Sequence, residues 1–440
     1  MKLYFVHSIL ITVFVLLAGC SKTKPTPTPT PAAPLPAITG ISPVSGPAGT
    51  TVTISGGNFD AAAAGNTVKF NGTTAAVTSA TTSSLVVTAP ATGTTGAVTV
   101  TTAAGTATGP GYTYTVTPPP PVDVYVSGWD VNTNNFSVAK YWKNGVVTSL
   151  TDGTKDAQAN AIFVSGTDIY TAGYEWKTLA GPTNNDIAKY WKNGVATSLT
   201  AGNTSARAYS IFVAGTDVYV CGYEVVGFHG EAKYWKNGVE TVLSNPLNDA
   251  GAMSIFVSGT DVYVCGYEDN NGSSGNVRAK YWKNGVATNL TGVGARNVAT
   301  GITVSGTDVY VSGYVSNGAS TDAVYWKNAV ATSLAGATSN TGAKASSVFV
   351  SGTDVYVSGQ DSYGLPGWAD YWKNGARVAF TDFADNTVTS GIAVSGSDVY
   401  ASGYYNKTLA ITVARVWKNG ISTALTDGTH QGGATGIFLK

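Results

Sequence analysis

The chain has 440 residues with 25 basic and 25 acidic side chains, so its net charge is close to zero. That balance excludes the basic footprint on which nucleic-acid binding depends. Only 11% of the residues are charged while 53 are glycine and 24 tyrosine, which suits a secreted all-β protein, and no helical periodicity of useful length follows residue 20.

Residues 1–19 have the layout of a secretion signal. Lys2 gives a positive start, Ile9 to Leu17 an apolar core, and Leu17-Ala18-Gly19-Cys20 a small-residue cleavage site. The apolar stretch is short for a membrane span. The pattern resembles the bacterial lipoprotein box, in which cleavage leaves the cysteine as the lipid-bearing N-terminus. The resemblance implies lipidation of Cys20 and attachment to a membrane through that lipid. Ser21 resembles the signal for outer-membrane sorting, with the ectodomain facing the periplasm or the cell surface. Residues 20–36 then form a Pro/Thr-rich linker, an extended spacer that cannot pack a core.

From 37 to 116, short runs alternating apolar with Thr or Ser are separated by Gly and Pro, as a small β-sandwich requires. The runs include Ile38-Thr39-Gly40-Ile41-Ser42-Pro43, Val52-Thr53-Ile54-Ser55-Gly56-Gly57-Asn58-Phe59, Val68-Lys69-Phe70-Asn71-Gly72 and Leu85-Val86-Val87-Thr88-Ala89-Pro90. Together they resemble an IPT/TIG domain. That resemblance implies an immunoglobulin-like fold serving as spacer or interaction module, without catalytic residues. Residues 117–121 are a stiff proline linker.

Residues 122–440 repeat. Trp-Lys-Asn recurs at Trp142, Trp191, Trp235, Trp282, Trp326, Trp372 and Trp417, spaced 49, 44, 47, 44, 46 and 45 residues apart. Asp-(Val/Ile)-Tyr-x-x-Gly keeps the same beat from Asp123, Asp168, Asp217, Asp261, Asp308, Asp354 and Asp398. A unit of this length repeated seven times is a β-propeller period. In the second full unit, Ala161–Val164, Ile169–Ala172, Ala188–Trp191 and Val195–Leu199 read as four strands. Asn193-Gly194 is a type I′ hairpin signal, because both central residues of that turn take positive φ. The array starts on its second strand, at Val122-Asp123, and residues 436–439 read as the missing first strand. The expectation is an all-β chain: an Ig-like sandwich, then a seven-bladed propeller closed by residues 436–439 pairing with the first blade.

The distance from each repeat Trp to the next repeat Asp is 26 residues in five of six cases, whereas that from the repeat Gly to the Trp runs from 13 to 18. Antiparallel alternation places the constant turns on one face and the variable connections on the other, where function gathers.

Chemistry is sparse in the sequence. The three histidines, His7, His229 and His430, form no cluster with a nucleophile, and there is no Gly-x-Ser-x-Gly elbow. No catalytic residue, metal ligand set or cofactor motif is expected. Asp130-Val131-Asn132-Thr133-Asn134 alternates oxygen ligands but lacks the Gly and Glu of a calcium loop, so it reads as a polar loop. Cys221 and Cys265 share a repeat slot and read as buried thiols. The repeat Asp residues read as local turn formers. Glu175, Glu224 and Glu268 share another slot and read as blade packing or loop starts, and the seven repeat Trp residues as inter-blade core.

Candidate ligand contacts are the aromatic residues assigned to the variable loops: Trp129, Trp176, Phe228, His229, Tyr363, Trp368 and Tyr405. Exposed aromatics on one face suit stacking on sugars or anchoring a protein. A second set is axial. The position two before the first apolar residue of each unit holds Asn160, Tyr209, Met253, Thr300, Ser346, Ser390 and Thr435, and Asn160 and Tyr209 are its ligand-binding candidates. The expected function is a lipid-anchored, monomeric, non-catalytic envelope protein recognising a glycan or an envelope protein. The alternatives are an adhesion protein without a small ligand, and a polysaccharide lyase or hydrolase with an axial site.

Overall fold

The computed structural model describes residues 32–115, 121–178, 184–270, 273–292, 296–316, 320–334, 342–361, 368–380, 387–408 and 410–440. The secretion signal, Cys20 and most of both linkers lie outside the described residues. The chain divides into two compact units, one up to Pro119 and one from Pro120. No helix among the described residues is long and apolar enough to cross a membrane.

The first unit carries eight strands between Ala37 and Tyr114. Thr73–Ala80 joins its two halves, pairing through Thr73–Ala75 with Val68–Phe70 and through Ala76–Ala80 with Leu85–Thr88. Alternation along the strands points Val52, Ile54, Val68, Phe70, Leu85, Val87, Val98 and Val100 into one core where each is fully buried. Tyr112 closes that core edge-on to Phe70, with ring centroids 5.1 Å apart.

The second unit is a ring of seven four-stranded antiparallel sheets. Blade one takes its innermost strand from the end of the chain, Gly432–Leu439, which pairs with Val124–Asp130. The closing strand is therefore longer than residues 436–439. Asp123 and Lys440 extend it by exchanging two backbone hydrogen bonds of 2.8 and 3.0 Å. Closure gives every blade four strands, and the edges turned outward are the four-residue outermost strands, such as Val195–Ser198. All seven repeat tryptophans are buried in this ring. They are packing residues, as the fixed register implies.

The two repeated motifs turn out to be two halves of one corner. In blade two the Asp168 carboxylate accepts from Asn193 Nδ2 at 2.8 Å and pairs with Lys192 Nζ at 2.7 Å. Asn193 Oδ1 in turn accepts from the Ile169 N–H at 2.9 Å, and Lys192 lies 5.3 Å above the Tyr170 ring. Asn193 and Gly194 have φ of 51° and 83°, as a type I′ turn demands. The Asp–Asn and Asp–Lys contacts recur in all seven blades, for instance Asp123–Lys143–Asn144 and Asp398–Lys418–Asn419. The repeat Asp is thus structural, but its role differs from the one expected. It clamps the neighbouring hairpin turn and does more than shape its own.

Candidate functional site

The repeat Gly explains how the ring exposes an irregular surface. A Cβ on Gly173 would lie 1.9 Å from the Gln158 carbonyl oxygen, and one on Gly222 equally close to that of Arg207. The innermost strand needs that space because it bulges there. In blade two the register breaks between Ala159 and Ala161, in blade three between Ala208 and Ser210, and the same break occurs in every other blade. A bulge leaves one residue out of the ladder and re-aims its side chain. The bulged residues are the seven variable axial ones: Asn160, Tyr209, Met253, Thr300, Ser346, Ser390 and Thr435.

All seven line a single axial cavity of about 190 Å³. Three of them tie blades together. Asn160 Nδ2 donates to the Ala208 carbonyl at 2.7 Å, Thr300 Oγ1 to that of Ala345 at 2.9 Å, and Thr435 Oγ1 to that of Ala159 at 2.6 Å. Each acceptor is the carbonyl just before the next blade's bulge. The cavity is lopsided. Hydroxyls of Thr300, Ser346, Ser390 and Thr435 occupy one arc, and Tyr209 and Met253 stand on the other.

Around this cavity the residue after each repeat Gly forms a collar that sequence reasoning missed, apart from its first member. It holds Trp129, Tyr174, Tyr223, Tyr267, Tyr314 and Tyr404, with Gln360 in the seventh place. Tyr223 stacks on the axial Tyr209, with ring centroids 5.8 Å apart. The Arg207 guanidinium lies 4.2 Å above the Tyr174 ring and binds Asp186 at 2.5 Å. Burial pushes the Tyr174 and Tyr267 phenols up to about 12, and burial, followed by Tyr223, raises that of Tyr209. These phenols therefore stay protonated and neutral. The signal was present as Gly followed by Tyr or Trp in six of seven repeats. Its meaning depended on the bulge beside it, which no residue type announces.

The aromatic candidates are placed differently from one another. Trp129, Trp176 and Tyr405 lie on strands, not in loops, because the hairpin ladders continue past the body of the blade. In blade two the pairing runs out to Thr178 and Asn184. Trp129 belongs to the collar and lies over Gly433. Trp176 is 37% exposed and Phe228 is 98% exposed at a hairpin tip. His229 is half-buried and opens the next strand, and Tyr405 is covered by the Arg415 guanidinium at 4.4 Å. Trp368 also starts a strand, Trp368–Lys373. Tyr363 lies outside the described residues. Trp129, Trp176 and Tyr405 thus stand on blades one, two and seven, while the axial set converges on one cavity.

The repeated glutamates are neutralised inside their own blades. Glu175 pairs with Lys189, Glu224 with Lys233 at 2.8 Å, and Glu268 with Lys280. Burial works to raise the Glu268 carboxyl, but Lys280, the Asn245 N–H and the Asn248 amide outweigh it and hold it below its ordinary 4.5. Asp130 pairs with Lys140 at 2.6 Å, and Asn132 Oδ1 accepts from the Asn134 and Phe136 N–H groups, so that stretch is a capped polar turn. Cys221 and Cys265 are buried free thiols, both raised by burial.

Toward the constant turns, a further feature missed in the sequence surrounds the axis. Phe438, Phe163, Phe212 and Phe256 come from four consecutive innermost strands and pack ring on ring at 4.8, 4.8 and 4.9 Å. The axis is therefore apolar at this level and polar at the bulges.

Comparison with curated proteins gives no match. Among solved structures, the chain is similar to an auxiliary nutrient binding protein from Bacteroides thetaiotaomicron at 12% identity, covering 89% of this chain and 85% of that one, with a TM-score of 0.30. It is similar to another from Bacteroides ovatus at 14% identity, covering 75% and 96%, with a TM-score of 0.29. A puromycin-hydrolyzing peptidase from Mycobacterium tuberculosis is similar at 11% identity, covering 68% and 52%, with a TM-score of 0.46. Residues 36–116 match the IPT/TIG domain, and the chain is an IPT/TIG domain followed by a seven-bladed β-propeller.

Proposed function

We propose that this protein is a non-catalytic recognition protein of the bacterial envelope, lipid-tethered at Cys20, whose bulge-side propeller face binds a glycan. The observation that carries the reading is the lopsided axial site. Tyr209, stacked on Tyr223, offers an aromatic wall, while across the cavity Ser346 and Ser390 bring hydroxyls and Thr300 and Thr435, whose protons go to Ala345 and Ala159, bring acceptor oxygens. A sugar ring has apolar C–H faces and a hydroxyl rim, so it needs this combination. The charged groups nearby are committed to partners, as with Arg207 and Asp186. That arrangement favours binding over acid–base chemistry, which needs a carboxyl with a displaced pKa.

The test is binding of the full chain to a panel of soluble oligosaccharides and insoluble polysaccharides. Tyr209→Ala and Tyr223→Ala are expected to weaken binding at least tenfold without unfolding the ring. Binding that ignores both substitutions, or no binding across the panel, overturns the glycan reading. The tether is tested separately, since Cys20→Ala should release the protein from the membrane fraction. Phe228, exposed at a hairpin tip, favours a second reading in which an envelope protein docks on this face. Cross-linking through position 228 that captures one defined membrane protein would support it.

A further inference from the structure

The third strand of each blade begins its second motif with Tyr-Trp, except in blade seven, where Val416 precedes Trp417. In the other six blades the tyrosines are Tyr141, Tyr190, Tyr234, Tyr281, Tyr325 and Tyr371, all half-buried. Each packs into the cluster that contains the first apolar residues of the next blade's second strand, as Tyr190 does with Val218 and Val220. Tyr371 also lies beside the repeat Tyr of its own blade, with its ring centroid 6.4 Å from that of Tyr356. At the seam between blades seven and one, the corresponding neighbours are Tyr400, Val124 and Val126. A cleft of about 240 Å³ opens between them, with Val416, Trp417 and Leu425 completing its apolar wall. Thr423 and Lys418, both exposed, stand at its rim.

We propose that this seam cleft is a binding site for a free, phenol-sized aromatic ligand. Six internal copies show what the surrounding shape accepts, a phenol ring packed with the repeat tyrosine of its own blade and the next blade's second strand. That strand offers a pair of valines to Tyr190, Tyr234, Tyr281 and Tyr325, Ile169 to Tyr141 and Val399 to Tyr371. Replacing tyrosine by valine removes the ring and keeps the mould. The walls of the cleft are mostly apolar, so a small aromatic molecule that displaces solvent from them gains hydrophobic contact. The rim is polar enough to meet a phenolic hydroxyl. The site is independent of the axial mouth, since the two cavities share no lining residue.

The probe is p-cresol, titrated into the full chain and followed by saturation-transfer NMR and calorimetry. Saturable binding is expected for the unmodified chain. Val416→Tyr restores the repeat residue and should weaken that binding at least tenfold while leaving the melting temperature equal or higher. Val416→Phe, the second filling variant, should do the same. Tyr209→Ala, at the mouth, should leave p-cresol binding unchanged. No saturable binding to the unmodified chain in the low-millimolar range overturns the proposal, and so does equal binding by a folded Val416→Tyr variant.

Discussion

The propeller's two faces are built on opposite rules. On the constant face one corner of Asp, Lys, Asn and Tyr is repeated seven times, each with the same contacts. At the bulges the same backbone geometry is also repeated seven times, yet the side chain it presents is of five different kinds. The corner is a closed set of partners, so a change in any member strands the others. The bulged residue has left the ladder, so no strand partner dictates its type, although Asn160, Thr300 and Thr435 use the freedom to bond the next blade. Constraint and freedom thus sit on adjacent strands of one hairpin, as with Asp168 and Asn160, eight residues apart. The repeat Gly separates them by giving the bulge its room.

Removing that room should have the largest effect. Gly222→Ala forces a Cβ to within 1.9 Å of the Arg207 carbonyl. It should cost about 3 kcal/mol or more in chemical denaturation and flatten the bulge that carries Tyr209. A full-stability Gly222→Ala variant would show that the bulge is not held by this contact. Next in size is the corner itself. Asn193→Ala deletes the bonds to Asp168 and to the Ile169 N–H and leaves a residue with a Cβ at φ of 51°. A loss of about 1–2 kcal/mol is expected, read from the denaturation midpoint.

A smaller gain should come from the one turn that departs from Asn-Gly. Ala329 sits at φ of 66° where six blades place glycine. Ala329→Gly should relieve strain and stabilise by about 0.5–1 kcal/mol, visible as a modest rise in melting temperature. An unchanged or lower midpoint would count against turn strain at this corner.

The smallest effect per site is electrostatic. Lys192 and Asn193 hold the Asp168 carboxyl below its ordinary 3.8, and the other six repeat Asp carboxyls are lowered in the same way. A depressed carboxyl contributes stability that is full above its unfolded value and is lost as the pH falls through the lower folded value. Stability should therefore hold from neutral pH down to about 4 and decline below it. Asp168→Asn should make that decline slightly shallower in an acid titration. These groups are exposed and screened, so each shift is small. An acid limb steeper in the variant than in the parent would contradict the sign.

Much of the ring was legible in the sequence. Seven evenly spaced Trp-Lys-Asn motifs fix the number of blades, and Asn-Gly fixes the hairpins, because these features depend on residues close together in the chain. The candidate site was legible only in part. The axial positions could be picked out, since they vary against a constant background, and the structure brings all seven into one cavity. The loop aromatics could also be picked out, but strand pairing carries Trp129, Trp176 and Tyr405 out of the loops and into the sheets. The collar went unnoticed. A Tyr after Gly looks like any other strand tyrosine until the bulge next to it is known.

The sequence by itself determined the fold class, the blade count and the closure of the ring, because period, turn chemistry and alternation are local properties. Only the tertiary structure decided that Asp168 reaches Asn193, that seven unpaired residues face one axis, and that Val416 leaves a cleft against Val124. Each of these joins groups far apart in the chain. Their meeting depends on strand register and on bending seven sheets into a circle, and neither is written at any single position.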